Sequence, residues 1–250
     1  MRSLADVQLV WTLIDRGLND CAVSRDTGIP RPTVREWRLQ GRDMVERRRL
    51  KLADADCPVC GGALVPQQPY GYLLGLYLGD GCISTHPRGV YKLRVVLDQR
   101  YPGIIHECSE AMRLVRPSRA VRVGFAQSIG CMEVGAFWKH WPCLFPQHGP
   151  GRKHERRIEL KPWQLAIVNE YPDRLLRGLI HSDGYRGLNY VNGKGYPRYQ
   201  FSNRSNDIRD IFCRACDVYG VAWRRMNRWN ISIARRADVA KLDLVIGPKT

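Results

Sequence analysis

Asp80 and Asp183 stand at the same place in two related nonapeptides. Residues 73–81 read LLGLYLGDG and residues 176–184 read LRGLIHSDG. Both have Leu first, Gly third, Leu fourth, a small residue seventh, Asp eighth and Gly ninth. Gly75 and Gly79 are one helical turn apart, as are Gly178 and Ser182, so each pair shares one helix face. Small residues at that spacing let two helix backbones approach closely. If the two helices pack on each other, their C-terminal ends meet and Asp80 lands beside Asp183. The helix dipoles are already negative there, and two carboxylates repel. A divalent cation relieves both problems, and oxygen ligands with several waters suit Mg²⁺. A lone Asp-Gly would be read as a helix stop; two equivalent ones make a metal site the better reading.

The segments after each nonapeptide must position those carboxylates, and they match. After Asp80 come the alternating stretch YKLRVVL, the helical stretch IIHECSEAMRLV, and the strand-like runs AVRVGF and CMEVGAF. After Asp183 come YPRYQFS, DIRDIFCRACDVYG, VAWRRM and NISIARR. Each half reads α-β-β-α-β-β with a further helix, a duplicated α+β unit. Leu93, Val95 and Leu97 point one way and Lys92 and Arg94 the other. Tyr196, Arg198, Gln200 and Ser202 likewise share a face. Arg122, Arg224, Asn227, Arg228 and Asn230 lie on or near the later strands. Such sheets can pack an apolar face under helices and present a polar one, where Arg and Gln read base edges and Lys grips phosphates.

Composition agrees with a polyanionic partner. Among 250 residues, 40 Lys plus Arg outnumber 24 Asp plus Glu, a formal net charge of +16. Nucleic acid is the commonest partner for such an excess. No long apolar run suggests a membrane span. The opening MRSLADVQLVW carries Asp6 and lacks the apolar core of an export signal. The nine cysteines are scattered and odd in number, and are expected to be reduced thiols in a cytosol.

Residues 1–51 are expected to form a small helical DNA reader. Leu4, Val7, Leu9, Val10, Leu13 and Ile14 largely share one helix side. Asp20 is expected to cap a second helix ending at Gly28, and Thr33 a third, TVREWRLQ. Val34 and Trp37 would face inward, with Arg35 and Arg38 outward. This pattern resembles a helix-turn-helix whose short basic helix contacts DNA. The strip RDMVERRRLK over 42–51 continues the basic character. Residues 52–68 read as a linker. Its CPVCGG places Cys57 and Cys60 as a zinc knuckle, two thiolates on a tight turn. Cys143 with His148, or His154, would complete that site. Cys213 and Cys216 share the spacing, but on a helix, where they read as small core residues.

The paired nonapeptides and their matching strands resemble the LAGLIDADG homing endonuclease family in its single-chain, two-repeat form. The resemblance covers roughly residues 69–250, as halves 69–160 and 161–250. It implies a monomer whose motif helices form a pseudo-twofold seam. It implies two saddle-shaped antiparallel sheets astride double-stranded DNA. Asp80 and Asp183 would bind Mg²⁺ or Mn²⁺, with backbone carbonyls from Gly79 and Ser182. The implied reaction is metal-assisted phosphodiester hydrolysis in an intron-homing setting. The family also places a basic residue from each half near the attacking water. In GRKHERRIELKPWQ the candidates are Lys153 and Arg156, with Arg157 and His154 close by, although Glu159 stands where the family has Pro. At the chain end the candidate is Lys249. Two other readings stay open on the same scaffold. One is a non-cleaving transcription regulator, as in a sporulation-regulator family whose helix-turn-helix follows the LAGLIDADG part. The other is an RNA maturase. A cytoplasmic, nucleoid-associated protein of bacterial or phage origin is expected. The terminal Thr250 in place of a His-Asn pair points to a free-standing protein and not an intein.

Overall fold

The computed structural model describes residues 4–45, 57–62, 64–116, 120–247 and 249. The chain divides into two compact units, Met1–Leu64 and Val65–Thr250. No helix among the described residues is long and apolar enough to cross a membrane.

The N-terminal unit packs three helices, α1 (Leu4–Asp15), α2 (Asp20–Thr27) and α3 (Arg31–Gln40). Val7, Val10, Trp11, Val23, Ile29, Val34 and Trp37 form its core. Leu9 is half exposed and takes no part in it. The caps differ from the sequence reading by a few residues. Asn19, not Asp20, caps α2, its Oδ1 accepting from the Ala22 amide at 3.0 Å. Gly28 ends that helix in the left-handed region at φ 65°, where a Cβ would be strained. α3 begins at Arg31 after Pro30. Thr33 therefore lies inside the first turn, because a proline at the second helical position already suits the entry. The part of the basic strip from residue 46 onward lies outside the described residues.

The C-terminal unit repeats one topology twice. The first half runs α4 (Gln67–Gly79), β1 (Gly81–His86), β2 (Val90–Asp98), α5 (Pro102–Val115), β3 (Arg122–Phe125) and β4 (Cys131–Trp138). Two helices, α6 (Trp141–Leu144) and α7 (Pro162–Glu170), follow. The second half runs α8 (Pro172–Asp183), β5 (Gly184–Val191), β6 (Lys194–Ser202), α9 (Asn206–Tyr219), β7 (Arg224–Arg225) and β8 (Asn230–Ile233). α10 (Arg236–Ile246) closes it. Both sheets are antiparallel with the same order, β1-β2-β4-β3 and β5-β6-β8-β7. Alternation sends Leu93, Val95, Leu97 and Val134 of one sheet, and Tyr199, Phe201, Ile231 and Ile233 of the other, into the core under the helices. Cys213 and Cys216 are buried core thiols on α9.

α4 and α8 are the centre of this unit, and their glycines explain why. A Cβ on Gly75 would lie 2.6 Å from the Leu175 carbonyl oxygen, 2.7 Å from the Leu179 amide and 2.8 Å from the Gly178 Cα. A Cβ on Gly178 would strike the Tyr72 carbonyl. The two backbones therefore touch at the third position of each nonapeptide. The ninth position is constrained differently. A Cβ on Gly81 or Gly184 would sit 2.5 Å from the Cα of Tyr77 or Ile180, because the outgoing strand folds straight back along its own helix.

Candidate metal centre at the motif-helix seam

The seventh position continues the close approach to the helix ends. A Cβ on Gly79 would collide with the Ser182 side chain and come within 3.1 Å of Asp183 Oδ2. Ser182 turns its hydroxyl back onto its own helix, donating to the Gly178 and Leu179 carbonyls at 3.0 and 3.1 Å. Asp80 and Asp183 follow at the two C-termini. Solvent reaches Asp80 and, to a lesser degree, Asp183. Even so, the surrounding protein and the charge of Asp183 push the Asp80 carboxyl up to about 6. Burial raises Asp183 as well, opposed by a hydrogen bond from Asn203. A carboxylate raised by its like-charged neighbour lacks counter-charge.

Two lysines supply part of that charge, one from each half. Lys153 donates to the carbonyls of Tyr77, Leu78 (3.1 Å) and Gly79 (2.9 Å), at the last turn of α4. Lys249 donates to the Gly184 carbonyl at 2.6 Å, just past α8. Burial pulls Lys153 down to about 8, while Asp183 and Asp80 pull it back. Lys249 is lowered for the same reason and held up by Asp80, Asp183 and Asp98. The lysines divide between two recesses. A cavity of about 590 Å³ is lined by Lys153, His154, Asp183, Asn203 and Trp229. A smaller one of about 180 Å³ is lined by Asp80, Ser182 and Lys249. The two carboxylates and the Gly79 carbonyl offer oxygen donors only, the chemistry that would suit a hard divalent cation such as Mg²⁺ or Mn²⁺.

The remaining basic candidates separate. Arg156 lines the larger cavity, but it donates to the carbonyls of Gln147 (3.3 Å), Pro150 (3.2 Å) and Gly151 (2.6 Å). It braces the loop that carries Lys153. Arg157 turns away to Glu159. Asn203 is the residue that sequence reasoning missed. Its Nδ2 donates to Asp183 Oδ2 at 2.6 Å, and its Oδ1 accepts from the Ser205 amide at 2.8 Å. It sits just after β6, and a single Asn between strand and helix carries no signal of its own.

The outer sheet faces hold the other candidates. Lys92 and Arg94 both turn to Glu133 on the neighbouring strand, at 2.6 and 3.8 Å. Their charge is thus partly compensated, because Glu133 falls on the same face in register. Arg122 is exposed. Arg198 donates to Asn189 at 2.6 Å, and Gln200 contacts the Met226 sulfur at 3.5 Å. Arg224 and Arg198 line one open trough of about 610 Å³. Arg228 and Arg204 lie 5.6 and 5.7 Å from the centre of the half-exposed Trp229 ring. In the N-terminal unit, Arg35 is exposed. Arg38 bonds Asp20 at 2.8 Å and the Leu18 carbonyl at 2.9 Å, so its charge is partly compensated as well.

The zinc expectation is altered in its ligands. Cys57 and Cys60 do form a tight turn, with the Cys60 amide donating to Cys57 Sγ at 3.3 Å. Cys143 does pair with a histidine, but with neither of those expected. Cys143 Sγ lies 3.7 Å from Nδ1 of His140, not beside His148 or His154. His148 packs edge-on to Tyr91, with ring centres 5.7 Å apart. His154 faces Glu155 at 3.7 Å. One turn of α6 sets the His140–Cys143 pairing, which its local spacing could have shown.

No protein-family model matches the chain, and no curated protein matches it. Solved structures do. The chain is similar to mesophilic variants of the homing endonuclease I-DmoI, at 14% identity over 73% of this chain and 97% of that one, with a TM-score of 0.48. It is similar to the LAGLIDADG meganuclease I-AabMI bound to uncleaved DNA, at 13% identity over 69% and 81% of the two chains, TM-score 0.44. It is also similar to the N-terminal LAGLIDADG domain of DUF199/WhiA, at 12% identity over 74% and 83%, TM-score 0.44. All three likenesses are at low identity.

Proposed function

We propose that this chain is a divalent-metal-dependent DNA endonuclease that hydrolyses phosphodiester bonds of a long duplex site, acting as a monomer. The observation that supports this most is the seam itself. Gly75 and Gly178 bring α4 and α8 into backbone contact, and each helix ends on an aspartate with a lysine close by. Asp80, Asp183 and the backbone carbonyls of Gly79 and Ser182 would hold Mg²⁺ or Mn²⁺. When bound, the cation polarises phosphoryl oxygens and supplies a water acidic enough to attack. Asn203 fixes one oxygen of Asp183 and leaves the other for the ion. Lys153 and Lys249 would be the basic residues that hold a proton or steady a phosphate oxygen once the duplex is bound, and burial lowers the proton affinity of both. Arg198, Arg224 and Arg228, with Arg122, Lys92, Arg94 and Gln200, would contact the duplex, and Arg35 would extend the contact from the N-terminal unit. The work of such an enzyme places it in the cytoplasm with the genome.

The test is a randomised duplex library incubated with the protein, with and without Mg²⁺. Metal-dependent recovery of cleaved sequences, lost in D80N and D183N, is the expected result. Retention of a specific sequence without cutting would replace this reading with a regulator. Preference for structured intron RNA would replace it with a maturase.

A further inference from the structure

We infer that Lys153 is a resident counter-cation, which holds the end of α4 in the absence of metal and competes with the divalent ion for the Gly79 carbonyl. The inference rests on the metal-centre reading above. All three ammonium hydrogens go to the last carbonyls of α4, those of Tyr77, Leu78 and Gly79. The Tyr77 ring centre lies 5.0 Å from the same nitrogen. Among the described residues no carboxylate oxygen lies within ion-pair distance of it, although Asp80 and Asp183 both act on its charge. A half-buried ammonium that makes no ion pair with either carboxylate and takes carbonyls is placed as a cation ligand set would place a metal. It also cancels the negative end of the helix dipole at the point where a second carboxylate arrives.

One oxygen is claimed twice. Gly79 O accepts from Lys153 at 2.9 Å, and it belongs to the oxygen set assigned to the divalent ion. Metal entry must then loosen one of the three ammonium bonds and bring a double charge close to a single one. Lys249 differs, because its carbonyl partner is Gly184, on the far side of Asp183. The two lysines are therefore not equivalent: Lys153 opposes the ion directly, and Lys249 acts from outside the donor set.

The measurement is Mn²⁺ affinity of the full chain without DNA, read by electron paramagnetic resonance of free Mn²⁺ and by titration calorimetry. K153M is expected to bind Mn²⁺ at least about tenfold more tightly, the gain that removing one neighbouring positive charge gives even in a water-like dielectric. K153R keeps the charge and should stay near wild type. K249M should gain less than K153M. If K153M does not fold, K153Q carries the same expectation. Unchanged or weaker Mn²⁺ binding by the neutral variant overturns the inference. If D80N binds Mn²⁺ as wild type does, the metal-centre reading itself fails, whatever K153M shows.

Discussion

Replacing Gly75 with alanine adds one methyl at the tightest point of the molecule, and its cost follows from the crossing. The new Cβ would lie 2.6 Å from the Leu175 oxygen, where ordinary contact begins at 3.4 Å. The helices must separate by most of that shortfall, about 0.8 Å by difference. All three obstructing atoms are backbone, so no side chain can swing aside. Overpacking of this kind costs roughly 1–3 kcal/mol, more where backbone must move. Alanine's better helix propensity returns up to about 1 kcal/mol. With the overpacking cost at the upper end of its range, the net loss of roughly 2 kcal/mol lowers the melting temperature of a domain this size by about 4–8 °C. Gly71 is the internal control, since its added Cβ meets Arg174 Cβ at an ordinary 3.4 Å. G71A should melt at or slightly above wild type. Urea and thermal unfolding of the three proteins decide the matter. If G75A is as stable as wild type while G71A behaves as expected, α4 and α8 do not touch at the third motif position, and nothing then brings the aspartates together.

Other consequences are equally direct. N203A removes the donor on Asp183 and should lower Mn²⁺ affinity and cleavage by roughly 10–100-fold, the usual effect of losing a ligand's own support; unchanged affinity would make Asn203 a loop residue only. R177M breaks the paired hydrogen bonds to Glu107, at 2.7 Å each, and the hold on the Val245 and Ile246 carbonyls. It should cost roughly 1–3 kcal/mol and speed proteolytic loss of the C-terminal residues, visible by mass spectrometry. Asp243 is held below the ordinary carboxylate range by hydrogen bonds from Arg186 and Tyr199. Its contribution is thus present above the unfolded value and fades as pH falls through the lowered folded one. The stability gap between wild type and D243N should therefore shrink in acid, and a gap that widens there would contradict the assignment. Nonspecific DNA affinity should fall steeply with salt, by a slope of roughly −0.9 per neutralised phosphate; a flat profile would argue against the basic sheet faces.

The parts of this structure legible in the sequence are those set by local periodicity. The nonapeptides reveal the crossing because backbone contact permits only small residues at fixed turns of a helix. YKLRVVL reveals its buried face because a strand alternates. The duplication follows from repeating both signals in one order. What was hidden depends on partners brought from afar. Arg38 looks unpartnered until Asp20 and Leu18 bond it. Lys92 and Arg94 look free until pairing with β4 brings Glu133 onto their face, within reach of both. Lys153 and Arg156 could not be ranked from their stretch, because the choice depends on which one reaches back to α4. Asn203 required the fold of the β6–α9 turn before its amide could be seen on Asp183.

The central claim, that the two aspartates share a divalent ion at the seam, is tested most directly by anomalous diffraction from crystals soaked in Mn²⁺. A peak should stand at the ends of α4 and α8, within about 2.0–2.6 Å of an oxygen of Asp80 and one of Asp183, and should vanish in D183N. A well-diffracting wild-type crystal with no manganese there, or with manganese bound by neither carboxylate, would contradict it.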